Sequence, residues 1–145
     1  MTFYLKKTHE AAIEPTTRSG SDVGHDLYTI ESVKLYKGVV TKVRTGLTQV
    51  NAEGHSPSFL KIEGRSSLAA RGIFPVGGII DPSYRGEIIA LFMNMSGETV
   101  EFPQGVKFAQ LIPYRVHAIG DGIKIVSDAP TQTVRGAGGF GSTDG

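Results

Sequence analysis

The sequence predicts an all-β chain, a sandwich or jelly roll of short strands, and three observations carry that expectation. Apolar residues recur with a period of two rather than 3.6. Gly, Pro, Asn and Asp interrupt these runs roughly every eight to twelve residues. Only one short stretch suits a helix.

In chain order, Tyr4–Lys7, His25–Ile30 and Val33–Tyr36 are short strand candidates. From Val39 to Leu47 one face reads Val39, Thr41, Val43, Thr45, Leu47, with Lys42 and Arg44 on the other. Ser58–Ile62 follows, and Ser66–Ala70 is the candidate for one or two helical turns. Ile88–Met93 is continuously apolar, which predicts a strand covered on both sides, the second cover being available from another subunit. Thr99–Phe102 comes next. Over Lys107–Val116 the pattern places Phe108, Gln110, Ile112, Tyr114 and Val116 on one face. Ile123–Ser127 is the last candidate. Lys37-Gly38, Asn51–Pro57, Ser96-Gly97, Pro103–Gly105 and Gly120–Gly122 supply the turns. No repeat or composition break divides the 145 residues, so one domain is expected.

Composition excludes several chemistries. With no cysteine there is no disulfide framework, thiol nucleophile or zinc–thiolate site. The four histidines are scattered, without HxH or HExxH spacing. A net charge of +1 argues against a broad nucleic-acid-binding patch and gives no reason to expect a membrane surface as partner. No apolar run approaches membrane-spanning length and the N-terminal residues lack a signal-peptide core, so the expected compartment is the cytoplasm, or the nucleus of a eukaryotic or viral host.

Five segments carry candidate chemistry. Gly64-Arg65-Ser66-Ser67-Leu68-Ala69 joins a strand end to the short helix; its amides, hydroxyls and guanidinium suit phosphate, and a plain serine N-cap is the simpler reading. In Gly77-Gly78-Ile79-Ile80-Asp81-Pro82-Ser83-Tyr84-Arg85-Gly86, the paired glycines let a flat ligand approach the backbone. Asp81 there is either a base acting on water or a turn opener, and Tyr84 lies near enough to pack on whatever Asp81 serves. Gln110 on an apolar face needs a partner, either backbone or a ligand phosphate. Asp26, at a strand start, can hold an arginine such as Arg65, hold a water on a metal, or stand as a solvated edge charge. The tail Arg135–Gly145 has five glycines and cannot build its own helix or strand. It is either a frayed end or a flap in which Phe140 covers a base and Arg135 grips phosphate.

Gly24-His-Asp26-Leu27, Gly64-Arg65-Ser66-Ser67, Gly78-Ile-Ile-Asp81-Pro-Ser-Tyr84, Gly105-Val-Lys-Phe-Ala-Gln110 and Arg135-Gly-Ala-Gly-Gly-Phe140-Gly-Ser142-Thr143 stand in the order and spacing of five motifs. In this the chain resembles the trimeric deoxyuridine triphosphatases (dUTPases) over nearly its whole length. The resemblance implies a dUTPase-like distorted jelly-roll barrel over residues 1–134, with one very short helix. It implies a flexible C-terminal arm, residues 135–145, that closes an active site. The implied assembly is a homotrimer with shared sites, without nucleic acid or membrane as partner. The implied reaction is hydrolysis of dUTP to dUMP and pyrophosphate, which limits uracil incorporation into DNA and supplies dUMP for dTTP synthesis. Mg²⁺ would be held through substrate phosphates and water, with no direct protein ligand.

Carried over by position, Asp81 is the catalytic carboxylate and Tyr84 packs under the deoxyribose. Backbone at Gly78, Ile79, Ile80 and Ile89 frames uracil in a hairpin mouth. Arg65, Ser66, Ser67 and Gln110 hold phosphates. Phe140 stacks on the base, and Arg135, Gly141, Ser142 and Thr143 complete the arm's contacts. Asp26 supports the phosphate–metal network. Three positions depart from the family pattern: Pro75 stands where many bacterial members have a base-reading Asn, Gly64 replaces a frequent Pro, and Val23 a frequent Ala. The alternatives are a dCTP-directed enzyme, whose deaminase relatives carry a catalytic Glu where Leu91 stands, and a non-catalytic nucleotide-dependent regulatory module.

Overall fold

The alternating runs become ten strands and one helical turn in the computed structural model, which describes residues 2–52, 58–117, 123–139 and 141. In order these are β1 (Phe3–Lys7), β2 (His25–Tyr28), β3 (Val33–Leu35), β4 (Val40–Ala52), β5 (Ser58–Glu63), α1 (Ser66–Ala69), β6 (Ile73–Val76), β7 (Ile79–Ile80), β8 (Glu87–Asn94), β9 (Val100–Phe102) and β10 (Lys107–Arg115). All strand pairings are antiparallel. The first sheet has the order β1-β4-β8-β6, the second β2-β10-β5-β7, and β3 pairs with β9 in a third. No helix among the described residues is long and apolar enough to cross a membrane.

The expected jelly-roll barrel is not found. None of the three sheets closes on itself: β1 and β6 remain edges of the first, β2 and β7 of the second. One local reason lies in β6, where Pro75 has no amide hydrogen to offer a further strand. Beyond it, Gly77 (φ +69°) and Gly78 (φ +101°) carry the chain out of the first sheet and into the second.

All three sheets contribute to one core. Phe92 of β8, Phe102 of β9 and Phe108 of β10 meet there, with ring centroids 5.7, 5.7 and 6.1 Å apart. On β4 the inward face is Val43, Thr45, Leu47 and Gln49, continuing the predicted alternation beyond its expected end. On β8, Ile88, Ala90, Phe92 and Asn94 point inward. The second cover expected for that strand is not supplied by the described residues. On that face Leu91 is 38% exposed, and Phe74 of β6 at 37% and Val40 of β4 at 45% flank Met93.

β10 departs from its predicted phase. A bulge between Lys107 and Ala109 lets two residues oppose one step of β2, so Phe108 and Ala109 are both buried. Leu111 continues the inward face, and Gln110 falls on the opposite face from the one expected. Pro113 is tolerated because β2 pairs with β10 only as far as Leu111, which leaves that side of β10 without a ladder at Pro113. Residues 123–127 form no strand: Ile123 and Ile125 are 93% and 98% exposed.

Phe92→Ala removes the ring that touches both other phenylalanines. It is expected to cost about 3–5 kcal/mol of unfolding free energy, measured by urea denaturation.

Candidate active site

Two groups of the sequence-selected residues assemble in the structure. The first gathers around the ends of β2, β5 and β10. β5 ends at Glu63, and Gly64 packs directly on Pro75: a Cβ at Gly64 would lie 2.9 Å from the proline Cδ. The Gly64 carbonyl accepts a hydrogen bond from Gln110 Nε2 at 2.9 Å. The Gln110 amide in turn lies over Gly24, where a Cβ would sit 2.9 Å from its Cδ. Gln110 is therefore held by backbone.

Arg65 donates from Nη1 to the Lys107 carbonyl at 3.0 Å. It also occupies the N-cap of α1, in extended conformation (φ −97°, ψ 138°), without a side-chain cap. The serine N-cap expectation is thus replaced: Ser66 and Ser67 are the first two helical residues, and both are exposed. The Ala69 and Ala70 amides already bond back to Arg65 and Ser66.

Asp26 does not pair with Arg65. Its Oδ2 accepts from Lys107 Nζ at 2.8 Å, and the same ammonium sits 5.8 Å from the Tyr28 ring centroid. Tyr28 is fixed through a 2.6 Å hydrogen bond between its hydroxyl and Thr16 Oγ1. The hydrogen bond to Asp26, and then that carboxylate's charge, hold the Lys107 ammonium above its usual pKa. Lys107 is the residue that sequence reasoning missed. Its only signal was its place inside the Gly105–Ile112 motif, since Asp26 lies far away along the chain.

The second group is the β7–β8 connection. Gly78 is packed against β5: its carbonyl accepts from Ile62 N at 2.8 Å, and a Cβ there would lie 2.8 Å from the Ile62 carbonyl oxygen. Ile80 and Ile79 pair with Leu60 and Lys61, with Ile80 buried and Ile79 exposed. Asp81 follows at the strand end. It is exposed, and its carboxylate has no hydrogen bond or ion pair among the described residues. A tight turn is closed by Tyr84 N donating to the Asp81 carbonyl at 3.0 Å. The Tyr84 hydroxyl donates to the Glu87 carbonyl at 3.0 Å, and its ring lies over Gly86, where any Cβ would collide with it.

The hairpin mouth expected here is not formed by paired strands. β7 bonds to β5 in the second sheet, whereas Ile89 on β8 pairs with Arg44 of β4 in the first. The turn instead bridges two sheets. At its far end Glu87 anchors it, accepting from Gly46 N at 2.8 Å and from Arg44 at 3.1 Å.

In the tail, Arg135 Nε donates to the Gly138 carbonyl at 2.8 Å, within a local turn in which Gly138 N returns to the Arg135 carbonyl. Gly141 has φ +82°. Phe140, Ser142 and Thr143 lie outside the described residues. Among the described residues no three His, Asp or Glu side chains come together as a metal ligand set. A separate cavity of about 440 Å³, lined by Phe3, Leu5, Leu60 and Leu111 among others, contains none of the selected site residues.

Comparison with known proteins gives one consistent family. The dUTPase family model matches residues 10–144. A deoxyuridine 5'-triphosphate nucleotidohydrolase from Solibacter usitatus is 34% identical over 148 residues, covering 99% of this chain and 96% of that protein. The Arabidopsis thaliana enzyme of the same name is 34% identical, covering 97% of this chain and 82% of its own length. Among solved structures, a Staphylococcus bacteriophage 80alpha dUTPase mutant with dUpNHpp matches at TM-score 0.81 and 20% identity over 97% of each chain. EIAV dUTPase matches at TM-score 0.71 and 24% identity, over 88% of this chain and 100% of that one. At those identities the structures show a common fold.

Gly78→Ala forces a side chain into left-handed backbone and onto the Ile62 carbonyl. It is expected to lower stability by about 2 kcal/mol or more, read as a lower midpoint in urea.

Proposed function

The chain belongs to the dUTPase family, and on that premise we propose that it hydrolyses dUTP to dUMP and pyrophosphate, with Asp81 as the catalytic base. The observation that carries this reading is the β7–β8 turn. It presents an exposed Asp81 carboxylate, unpaired among the described residues, three residues from a Tyr84 ring fixed over Gly86. Such a carboxylate is free to accept a proton from water.

In the proposed reaction a water hydrogen-bonded to Asp81 attacks the α-phosphorus. The proton passes to the carboxylate, the bond from the α-phosphorus to its bridging oxygen breaks, and pyrophosphate leaves. Tyr84 packs under the deoxyribose and disfavours a 2′-hydroxyl. Backbone at Gly78, Ile79, Ile80 and Ile89 reads the base. Arg65, Ser66, Ser67 and Gln110 hold phosphates, Arg65 and Gln110 exchanging their present carbonyl partners for phosphate oxygens. Residues 135–145 serve as the closing arm, with Phe140 over the base and Arg135, Gly141, Ser142 and Thr143 at the phosphates. Mg²⁺, bound through the triphosphate, would neutralise its charge, with Asp26, paired with Lys107, as an outer support of that network.

We place the reaction in a homotrimer with shared sites. Two features support this. The described contacts gather Asp26, Arg65, Lys107 and Gln110 into one group, with Asp81 and Tyr84 on a different turn. The outer face of the first sheet also leaves Phe74, Leu91 and Val40 partly exposed, as a subunit contact requires.

Pyrophosphate release measured in parallel with dUTP, dCTP, dTTP and UTP is expected to favour dUTP; preference for dCTP would overturn the base assignment. Asp81→Asn is expected to retain dUTP binding and lose about 10²–10⁴-fold in kcat, checked by titration calorimetry and the same assay. Deleting Arg135–Gly145 is expected to lower turnover by on the order of a hundredfold while sedimentation still reports a trimer.

A further inference from the structure

We infer that Gln49 is a positioning residue for the Asp81 turn, locking the one backbone dihedral of Pro82 that its ring leaves free. The inference rests on the reading of Asp81 as the base. Gln49 lies on the inward face of β4, fully buried, beside Leu47 and opposite Leu5 of β1. An apolar side chain would suit that place better. Instead its Nε2 donates to the Pro82 carbonyl at 2.7 Å, and its Oε1 is buried with no partner among the described residues. A carbonyl can only accept, so the bond to Pro82 dictates which end of the amide faces the turn. The orphaned oxygen is the consequence. An unpaired buried acceptor costs stability, and its tolerated presence points to a compensating role for the other end.

That role follows from the turn's anatomy. β7 is only two residues long and gives Asp81 little support from upstream. Pro82 fixes its own φ and restricts the conformation of Asp81. The orientation of the Pro82 carbonyl, which sets ψ, is then the remaining freedom next to the carboxylate. Gln49 Nε2 and Arg85 Nη1 both hold that carbonyl, each at 2.7 Å. The neighbouring Thr48 hydroxyl reaches the Arg85 and Gly86 carbonyls at 2.8 and 2.9 Å. Two consecutive residues of β4 therefore grip both ends of the turn that carries Asp81 and Tyr84. Of these donors, Gln49 is the one wholly shielded from solvent, where a hydrogen bond is least exchangeable with water.

The test compares full-length wild type with Gln49→Leu, Gln49→Glu and Asp81→Asn. Gln49→Leu keeps the volume, loses the donor and removes the orphaned oxygen. It is expected to lower kcat about tenfold with KM changed less than twofold, while the thermal midpoint stays level or rises. A kcat within twofold of wild type overturns the inference, as does a kcat loss that tracks a fall in thermal midpoint, which a purely structural role produces. Gln49→Glu can donate to Pro82 only when protonated. Its kcat relative to wild type is expected to recover as pH falls; a ratio independent of pH overturns the inference. Asp81→Asn separates the two levels. If it still turns over, the underlying assignment of the base fails. If it is inactive while Gln49→Leu is unimpaired, the role of Gln49 alone fails.

Discussion

Three phenylalanines, one from each sheet, hold this molecule together. Each sheet is open, and the third has only two strands, which could not stand alone in water. Phe92, Phe102 and Phe108 give all three a common buried surface, in edge-on and tilted contacts that each add about 0.5–1.5 kcal/mol beyond area burial. Closure by hydrogen bonding is then unnecessary: β1, β6 and β7 remain edge strands, and β2 is covered on its outer side, among the described residues, only by the single bridge between Thr16 and Asp26. Lys6 and Lys7 on β1 and Pro75 on β6 are residues that discourage further pairing at such edges.

An arrangement of open sheets needs crossings, and the candidate active site is built from them. The chain leaves the first sheet at Gly77-Gly78, spends two residues in the second as β7, and returns through the Asp81–Gly86 turn to β8. Because that turn spans two sheets, no ladder partner supports it, and side chains take over. Glu87 receives Gly46 N and Arg44 across an irregularity in β4, where four steps on β4 correspond to two on β8. Thr45 fills the broken ladder by donating its hydroxyl to the Ile88 carbonyl at 2.6 Å. The bulge that interrupts regular pairing is thus what lets β4 present Thr48 and Gln49 to the turn.

Most strands were legible because alternation and turn residues agree, as at Val43–Leu47 and Ser58–Ile62. β6 and β7 were not. Neither shows in the alternation: one contains a proline, and the other has only two residues, too few for any period, and is legible only as the strand end that runs into the Asp81-Pro82 turn. The face of Gln110 was misread because a bulge at Phe108 inverts the pattern, and no local signal in Lys107-Phe108-Ala109 marks it. In the candidate site, the turn from Asp81 to Tyr84 was legible from the turn chemistry of Asp-Pro-Ser-Tyr. The Asp26–Lys107 pair was not, since it depends on β2 lying against β10. Gln49 gave no signal at all, being one more residue in an alternating strand.

The contact between Gly64 and Pro75 joins two positions that are well separated in sequence. With the proline Cδ 2.9 Å from where a Cβ of residue 64 would stand, a ring at 75 and a side chain at 64 exclude one another as the backbone now runs. Pro75 costs little where it sits, because an edge strand can lose an amide without orphaning a neighbour. Gly64 in turn lets the backbone pass close to β6 and keeps its carbonyl turned to Gln110 at 2.9 Å. A side chain at residue 64 would have to displace the Pro75 ring, and this contact sits where β5 hands the chain to Arg65 and the short helix.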